Sequence, residues 1–179
     1  YQYAGTHLSQ QKGTYDVQHQ DMGVLELDID PLVPNGKQQL ILSLQAFTIP
    51  GRQVETGNLP YLNGNNNYAA RPSPMDKITV TYRDFPTAGT RAVLHSWFEL
   101  VYNERSGLML PSSLIKVVGH VVLFGTDGEF ERSAKLEGVF PTREPEIAID
   151  YGQGEHMVMQ VEFSVDRIIW ENLQVPAVS

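Results

Sequence analysis

The chain has 179 residues, no cysteine, 41% apolar residues and a formal net charge of −8. This length suits one domain with a real core, and the lack of cysteine excludes disulfides and thiolate metal sites. The acidic balance argues against a protein that grips nucleic acid through a basic surface, and no apolar run of about 20 residues indicates a membrane span.

The N-terminal third predicts an arm, a β-hairpin and a long loop. Residues 1–21 have few aliphatic side chains and no period, so we expect an arm ahead of a single domain over 22–179. Alternating apolar and acidic residues predict a strand over 24–30. The Asn-Gly pair that follows indicates a tight turn, and a second strand over 38–49 would complete the hairpin.

Residues 50–74 are rich in Gly, Pro and Asn, which predicts an extended loop. Such a loop is either a solvated connection or an arm that packs on a neighbouring subunit. The pattern alone leaves both interpretations open. Four residues give the loop something to bury, namely Leu59, Tyr61, Leu62 and Tyr68.

The rest of the chain predicts strands around a single helix. A strand over 75–83 precedes a helix over 91–102, whose apolar residues cover more than half its circumference and predict burial on two sides. The Asp127-Gly128 pair predicts a hairpin turn, and Pro141 interrupts the strand that follows it. The fold class is mainly β (α+β): an antiparallel barrel or sandwich of about seven strands with one flanking helix and the long loop.

No constellation of catalytic residues is visible. The five histidines form no spaced metal motif, and the glycine-rich stretches are hairpin turns, since neither opens a helix as a phosphate-binding loop does. The acidic residues of the first strand follow strand alternation and lack the glycine-centred loop of a calcium site. We therefore predict no enzyme activity, no metal and no cofactor.

Several predicted strands pair an apolar face with a polar or acidic face. An ordinary solvated sheet shows this alternation, and so does the wall of an aqueous pore. The polar positions are Glu26, Asp28, Asp30, Ser43, Gln45, Thr79, Thr81, Gln160, Glu162 and Ser164.

Six segments together resemble the tail tube proteins of contractile-tailed bacteriophages, which are related to the tube proteins of type VI secretion and other contractile injection systems. The segments are FTIPG (47–51), ITVTYRDF (78–85), the helix with Trp97, LEGVFPT (136–142), IDYGQGE (149–155) and VEFSVDRIIWE (161–171). The resemblance covers roughly residues 22–170, by its order and spacing rather than by any one segment.

The resemblance implies a structural virion protein that forms hexameric rings, stacked into the inner tail tube. The genome passes through the tube without specific binding, and the sheath, baseplate and tail terminator proteins are the other partners. The implied location is the virion tail, assembled in the host cytoplasm. The alternatives are a secretion or injection tube and, in a different class, a monomeric ligand-binding β-barrel.

Two sets of residues follow as expectations from this resemblance. The polar positions above would line the lumen, and an acidic wall would hold DNA phosphates away. Contacts between subunits or rings would use Leu59, Tyr61, Leu62, Asn65, Tyr68, Trp97, Ile168, Ile169 and Trp170.

Overall fold

The computed structural model describes residues 22–61, 64–75, 77–85, 89–125, 130–146 and 157–171. The predictions for the N-terminal arm, the Asp127-Gly128 turn and the IDYGQGE segment lie outside these residues. The strands are β1 (Gly23–Leu27), β2 (Leu44–Thr48), β3 (Val54–Tyr61), β4 (Gly64–Pro72), β5 (Ile78–Arg83), β6 (Val117–Phe124), β7 (Phe130–Arg143), β8 (Val158–Ser164) and β9 (Arg167–Glu171). The helices are α1 (Gly36–Ser43), α2 (Thr90–Val101) and α3 (Ser112–Ile115).

Seven strands form one antiparallel sheet in the order β1-β6-β7-β8-β5-β2, with β9 also paired to β7. The 14-residue β7 joins two layers. Its first part pairs with β6 and β9, and its last part pairs with β8. We call β1, β6, β7 and β9 the first layer, and β2, β5, β8 and the end of β7 the second layer. The antiparallel β fold is confirmed, but the described strands do not close into a barrel.

β7 changes layer at Gly138, which has a φ of 72°. The register with β6 shifts at the same place, since Leu136 pairs with Gly119 and Val139 pairs with Val117. A β-bulge with a left-handed glycine bends a strand in this way. The backbone N–H of Asp166 donates to the carbonyl of Glu137 at 2.9 Å, which fixes the bend against the β8–β9 turn.

The inner faces of both layers and one face of α2 form a single hydrophobic core. Trp97 of α2 is fully buried, and its ring centroid lies 5.5 Å from that of Phe163 in β8. Its indole N–H donates to the carbonyl of Ile115 at 3.1 Å. The predicted helix is confirmed; within the subunit one face is buried, while Ser96 and Glu99 are exposed, and burial of a second side stays a prediction.

The predicted hairpin of 24–30 with 38–49 is wrong. Asn35 takes a left-handed conformation (φ 60°) that leads into α1, and only the end of 38–49 is a strand. β1 pairs with β6, and β2 pairs with β5. The apolar residues of Leu40–Leu44 fit both a helical and a strand period, and burial of Leu40 against the core decides for the helix.

β3 and β4 pair as an antiparallel hairpin, with a register shift between Val54 and Thr56, within the segment predicted as an extended loop. All of β4 is exposed. The hairpin is joined to the body at its base, where the Arg52 guanidinium donates to the carbonyl of Ile168 at 3.0 Å. No helix in the described residues is long and apolar enough to cross a membrane.

Candidate assembly surfaces

The second layer presents a polar surface on the side away from the core. β5 and β8 place Thr79 opposite Glu162 and Thr81 opposite Gln160, while the residues between them point into the core. β2 extends this surface with Thr48 opposite Thr79. We call this surface the polar face; its members are Ala46, Thr48, Thr79, Thr81, Gln160, Glu162 and Ser164.

The polar face is nearly neutral. Its one acidic residue, Glu162, accepts from the Lys77 ammonium at 3.0 Å. At the end of β7, Arg143 forms an ion pair with Glu146. The other members carry hydroxyl, amide and methyl groups, and the exposed Arg83 follows Thr81 in the same alternation at the end of β5. Of the residues predicted to line a lumen, the structure brings together Thr79, Thr81, Gln160, Glu162 and Ser164, with exposed Gln45 in β2 beside them.

The acidic row predicted to continue this surface lies elsewhere, on the first layer. The Lys37 ammonium contacts Asp28 at 2.9 Å and Glu26 at 3.1 Å, and the Lys37 backbone N–H donates to Asp30 at 3.0 Å. These carboxylates, Asp28 foremost, raise the pKa of Lys37. The acidic residues therefore surround a cation at the start of α1, because β1 pairs with β6 rather than with β2.

Three candidate residues are buried in the subunit. Ser43 is 0% exposed, and its hydroxyl donates to the carbonyl of Gln39 at 2.7 Å, so it cannot line a lumen. Trp97 and Ile168 belong to the core and cannot contact a neighbour. Strand alternation and apolar character could not separate these buried positions from surface ones. Ile169 and Trp170 in β9 are half-buried.

β3 and β4 pair with each other in a separate two-stranded sheet, and this hairpin carries exposed apolar side chains. Leu59, Asn65 and Tyr68 are exposed, whereas Leu62 and the side chain of Tyr61 lie outside the described residues. Gly57 leaves room for the cross-strand Tyr68 ring, which any Cβ at that position would meet. An isolated two-stranded hairpin is marginally stable in water, so this exposed arm favours a further contact.

A second apolar surface was missed from sequence. The apolar loop, which we define as residues 102–114, follows α2 and exposes 68% of Leu108, 68% of Met109 and 57% of Leu114. Tyr102 and Leu110 are exposed beside them. The run Leu108-Met109-Leu110 directly after a turn glycine was the available signal, because three consecutive apolar residues in a turn are unusual on a solvated surface.

A cavity of about 500 Å³ lies at the opposite end of α2. Its lining combines apolar and charged residues: Asp84, Phe85, Gly89, Arg91, Ala92, His95, Glu144 and Pro145. Arg91 contacts Asp84 at 2.6 Å. The His95 ring contacts Glu144 at 2.6 Å through Nδ1 and faces Glu99 at 3.7 Å through Nε2. We call this cavity the end cavity.

The described residues contain no cluster of side chains that could hold a metal ion. The two remaining pKa shifts have structural causes: Arg167, followed by Lys135, lowers the pKa of Glu137 beside the β7 bend, and burial raises the pKa of Tyr82. The exposed features of the described residues thus include a polar strand face, an apolar hairpin, an apolar loop and a cavity.

No protein-family description matches the chain, and no curated protein matches its sequence. Solved structures do match it. One is a chain in the extended sheath–tube complex of PVC, an extracellular contractile injection system (TM-score 0.65, 13% identity, 91% of this chain and 96% of that chain). Another is a chain in the PVC sheath/tube terminator in its extended state (TM-score 0.63, 12% identity, 88% and 99%).

A third match is a chain in the six-fold symmetrised baseplate of the anti-feeding prophage (TM-score 0.62, 10% identity, 90% of this chain and 99% of that chain). At these identities the likeness establishes a shared fold over nearly the whole of each chain. The resemblance inferred from sequence is therefore confirmed at the level of fold.

Proposed function

We propose that this chain is the tube subunit of a contractile injection system, a non-enzymatic protein that assembles into stacked hexameric rings around a central bore. The observation that carries the proposal is the polar face on a chain with this fold. A four-stranded layer with an apolar inner face and a neutral outer face is what one segment of a bore wall requires.

The edges of the second layer support ring formation. Within the described residues β2 pairs only with β5, so its other edge is open. An open edge is an aggregation hazard unless something covers it. A neighbouring subunit that pairs with this edge would continue the polar face around a ring and remove the hazard.

The charge of the polar face bears on what passes through the bore. Phosphate repulsion was expected from an acidic wall, but the acidic row surrounds Lys37 on the first layer and Glu162 is paired with Lys77. Hydroxyl and amide groups neither attract nor repel a charged chain strongly. Genome passage in a virion tail therefore loses its electrostatic support, and we retain the injection-system function.

The β3–β4 hairpin and the assemblies that contain the matched chains suggest the remaining contacts of this chain. The exposed Leu59 and Tyr68 fit a role of the β3–β4 arm in bridging subunits or successive rings. The matched chains come from assemblies named for a sheath–tube complex, a terminator and a baseplate. We propose that this chain likewise meets sheath, terminator and baseplate proteins.

Negative-stain electron microscopy of the purified chain at high concentration tests the proposal. We expect rings or tubes with an open bore, because ring and stack contacts need only copies of this chain. A monodisperse monomer that binds a small molecule and never self-associates would contradict the proposal and favour the ligand-binding class.

A further inference from the structure

Hydrogen bonds fix the first turn of the apolar loop, although the apolar side chains of the loop face solvent. The Asn103 side-chain oxygen accepts from the backbone N–H groups of Arg105 at 3.1 Å and Ser106 at 3.0 Å. The Asn103 backbone N–H donates to Leu108, and Gly107 donates back to Asn103 at 2.8 Å with a φ of 67°. A pre-formed loop loses little conformational entropy on docking, so its exposed leucines and methionine are suited to binding.

The end cavity offers a receptor of matching character. Phe85, Ala92 and Pro145 give it apolar walls, and its volume of about 500 Å³ lies within the range of about 300–1,000 Å³ of pockets that enclose most of a small ligand. Met157 and Val158, both exposed, lie close by, since the Arg91 guanidinium contacts the Met157 sulfur at 3.4 Å. Side chains such as Leu108 and Met109 could enter this space.

The two features lie at opposite ends of the same helix. The first turns of α2 line the cavity, and its last residue, Val101, leads directly into the loop. Twelve residues of α-helix span about 18 Å, so the apolar loop and the end cavity are separated by about this distance along the axis of α2. A contact between unlike surfaces cannot close as a two-fold dimer does; it repeats from copy to copy, into either a ring or an open stack. Because the ring proposed above closes through the open edge of β2, this contact is left for the stack.

We infer that the apolar loop of one copy inserts into the end cavity of the next copy along the tube, so that this contact joins successive rings. The inference rests on the proposed function and names the surfaces that carry the stacking.

Charge favours the same pairing. Glu99 and Glu144 flank His95 at the cavity, both about half exposed. Arg105, in the first turn of the loop, forms no ion pair within the described part of its own chain. A docked loop would bring this guanidinium towards those carboxylates, where a charge pair fixes orientation more than it adds affinity.

The absence of cysteine from the chain allows a direct test by paired cysteines. Met109→Cys and Ala92→Cys, both at exposed positions, are combined in one chain and oxidised mildly after assembly. We expect a ladder of covalent oligomers on non-reducing gels, because each subunit is linked to the copies before and after it. Each single variant can give at most a covalent dimer.

The matched control combines Met109→Cys with Thr48→Cys, an exposed residue of the polar face. We expect about tenfold or more covalent oligomer from the Ala92 pair than from this control, since apposed groups react at a high effective concentration. Leu108→Asp is a second variant: it should leave rings intact and abolish stacking into tubes.

The outcomes separate the two proposals. Tubes that form normally without a ladder, or an equal ladder from the control pair, overturn the stacking contact and leave the tube function standing. Normal tube lengths in Leu108→Asp have the same meaning. Failure of every variant and of the wild type to form rings or tubes overturns both.

Discussion

Gly138 shows how one residue positions the layer that carries the polar face. Its φ of 72° is unfavourable for any residue with a Cβ, and the Asp166 carboxylate occupies the space that a Cβ would need. Gly107 has a similar φ of 67° but open space around it. A substitution at Gly107 therefore meets only backbone strain, whereas one at Gly138 meets both backbone strain and steric contact with Asp166.

We predict that Gly138→Ala lowers the free energy of unfolding by about 3 kcal/mol or more, because left-handed strain and overpacking add. Gly107→Ala should cost only about 1–2 kcal/mol, since it meets the strain alone. Urea unfolding curves measure both. Equal losses in the two variants would show that the contact with Asp166 does not constrain the bend.

The sequence predicted several residues of the polar face, but it could not predict the exposure and location of every candidate. Thr79, Thr81 and Gln160 follow clean alternation in strands that the structure confirms. Ser43 failed because it lies in a helix that a strand pattern concealed. Glu26 lies away from the polar face because β1 pairs with β6, nearly a hundred positions along the chain, which no local pattern specifies.

At the scale of elements, α2 and the strands after it were predictable because their periods are long and unambiguous. The β3–β4 hairpin was not, because glycine, proline and asparagine disfavour strands on average. Here Gly57 admits the Tyr68 ring across the pair, and an aromatic side chain that covers a glycine is a known stabilising arrangement. The composition of residues 50–74 therefore predicted an extended loop, whereas β3 and β4 within it pair as strands.

A separate prediction concerns the role of the β3–β4 hairpin in assembly. Leu59→Asp should leave the free energy of unfolding within about 0.5 kcal/mol of wild type, since Leu59 is exposed, but should shorten or abolish tubes. Asn58→Asp adds the same charge on the other face of β3 and should assemble more nearly as wild type does. Denaturant curves and tube lengths by electron microscopy measure the two effects, and normal tubes in Leu59→Asp would exclude Leu59 from assembly.

At the scale of the whole molecule, the fold separates a polar side from a helical side. The polar face lies on one side of the core, and α2 with its exposed Ser96 covers another. Sequence predicted the antiparallel β class and the resemblance to tube proteins, but the open path of strands from β1 to β2 emerged only from the pairings. Under the proposed function, we expect the polar side to face the bore of the tube and the helical side to face outward.

Size-dependent labelling of a single cysteine in assembled tubes tests this orientation most directly. Thr81→Cys should react with a small maleimide but be protected from a bulky polymer-linked maleimide, and should regain full reactivity when the tubes are dissociated. Ser96→Cys, the matched control, should react with both reagents in both states. Rapid labelling of Thr81→Cys by the bulky reagent in intact tubes would contradict a bore lined by the polar face.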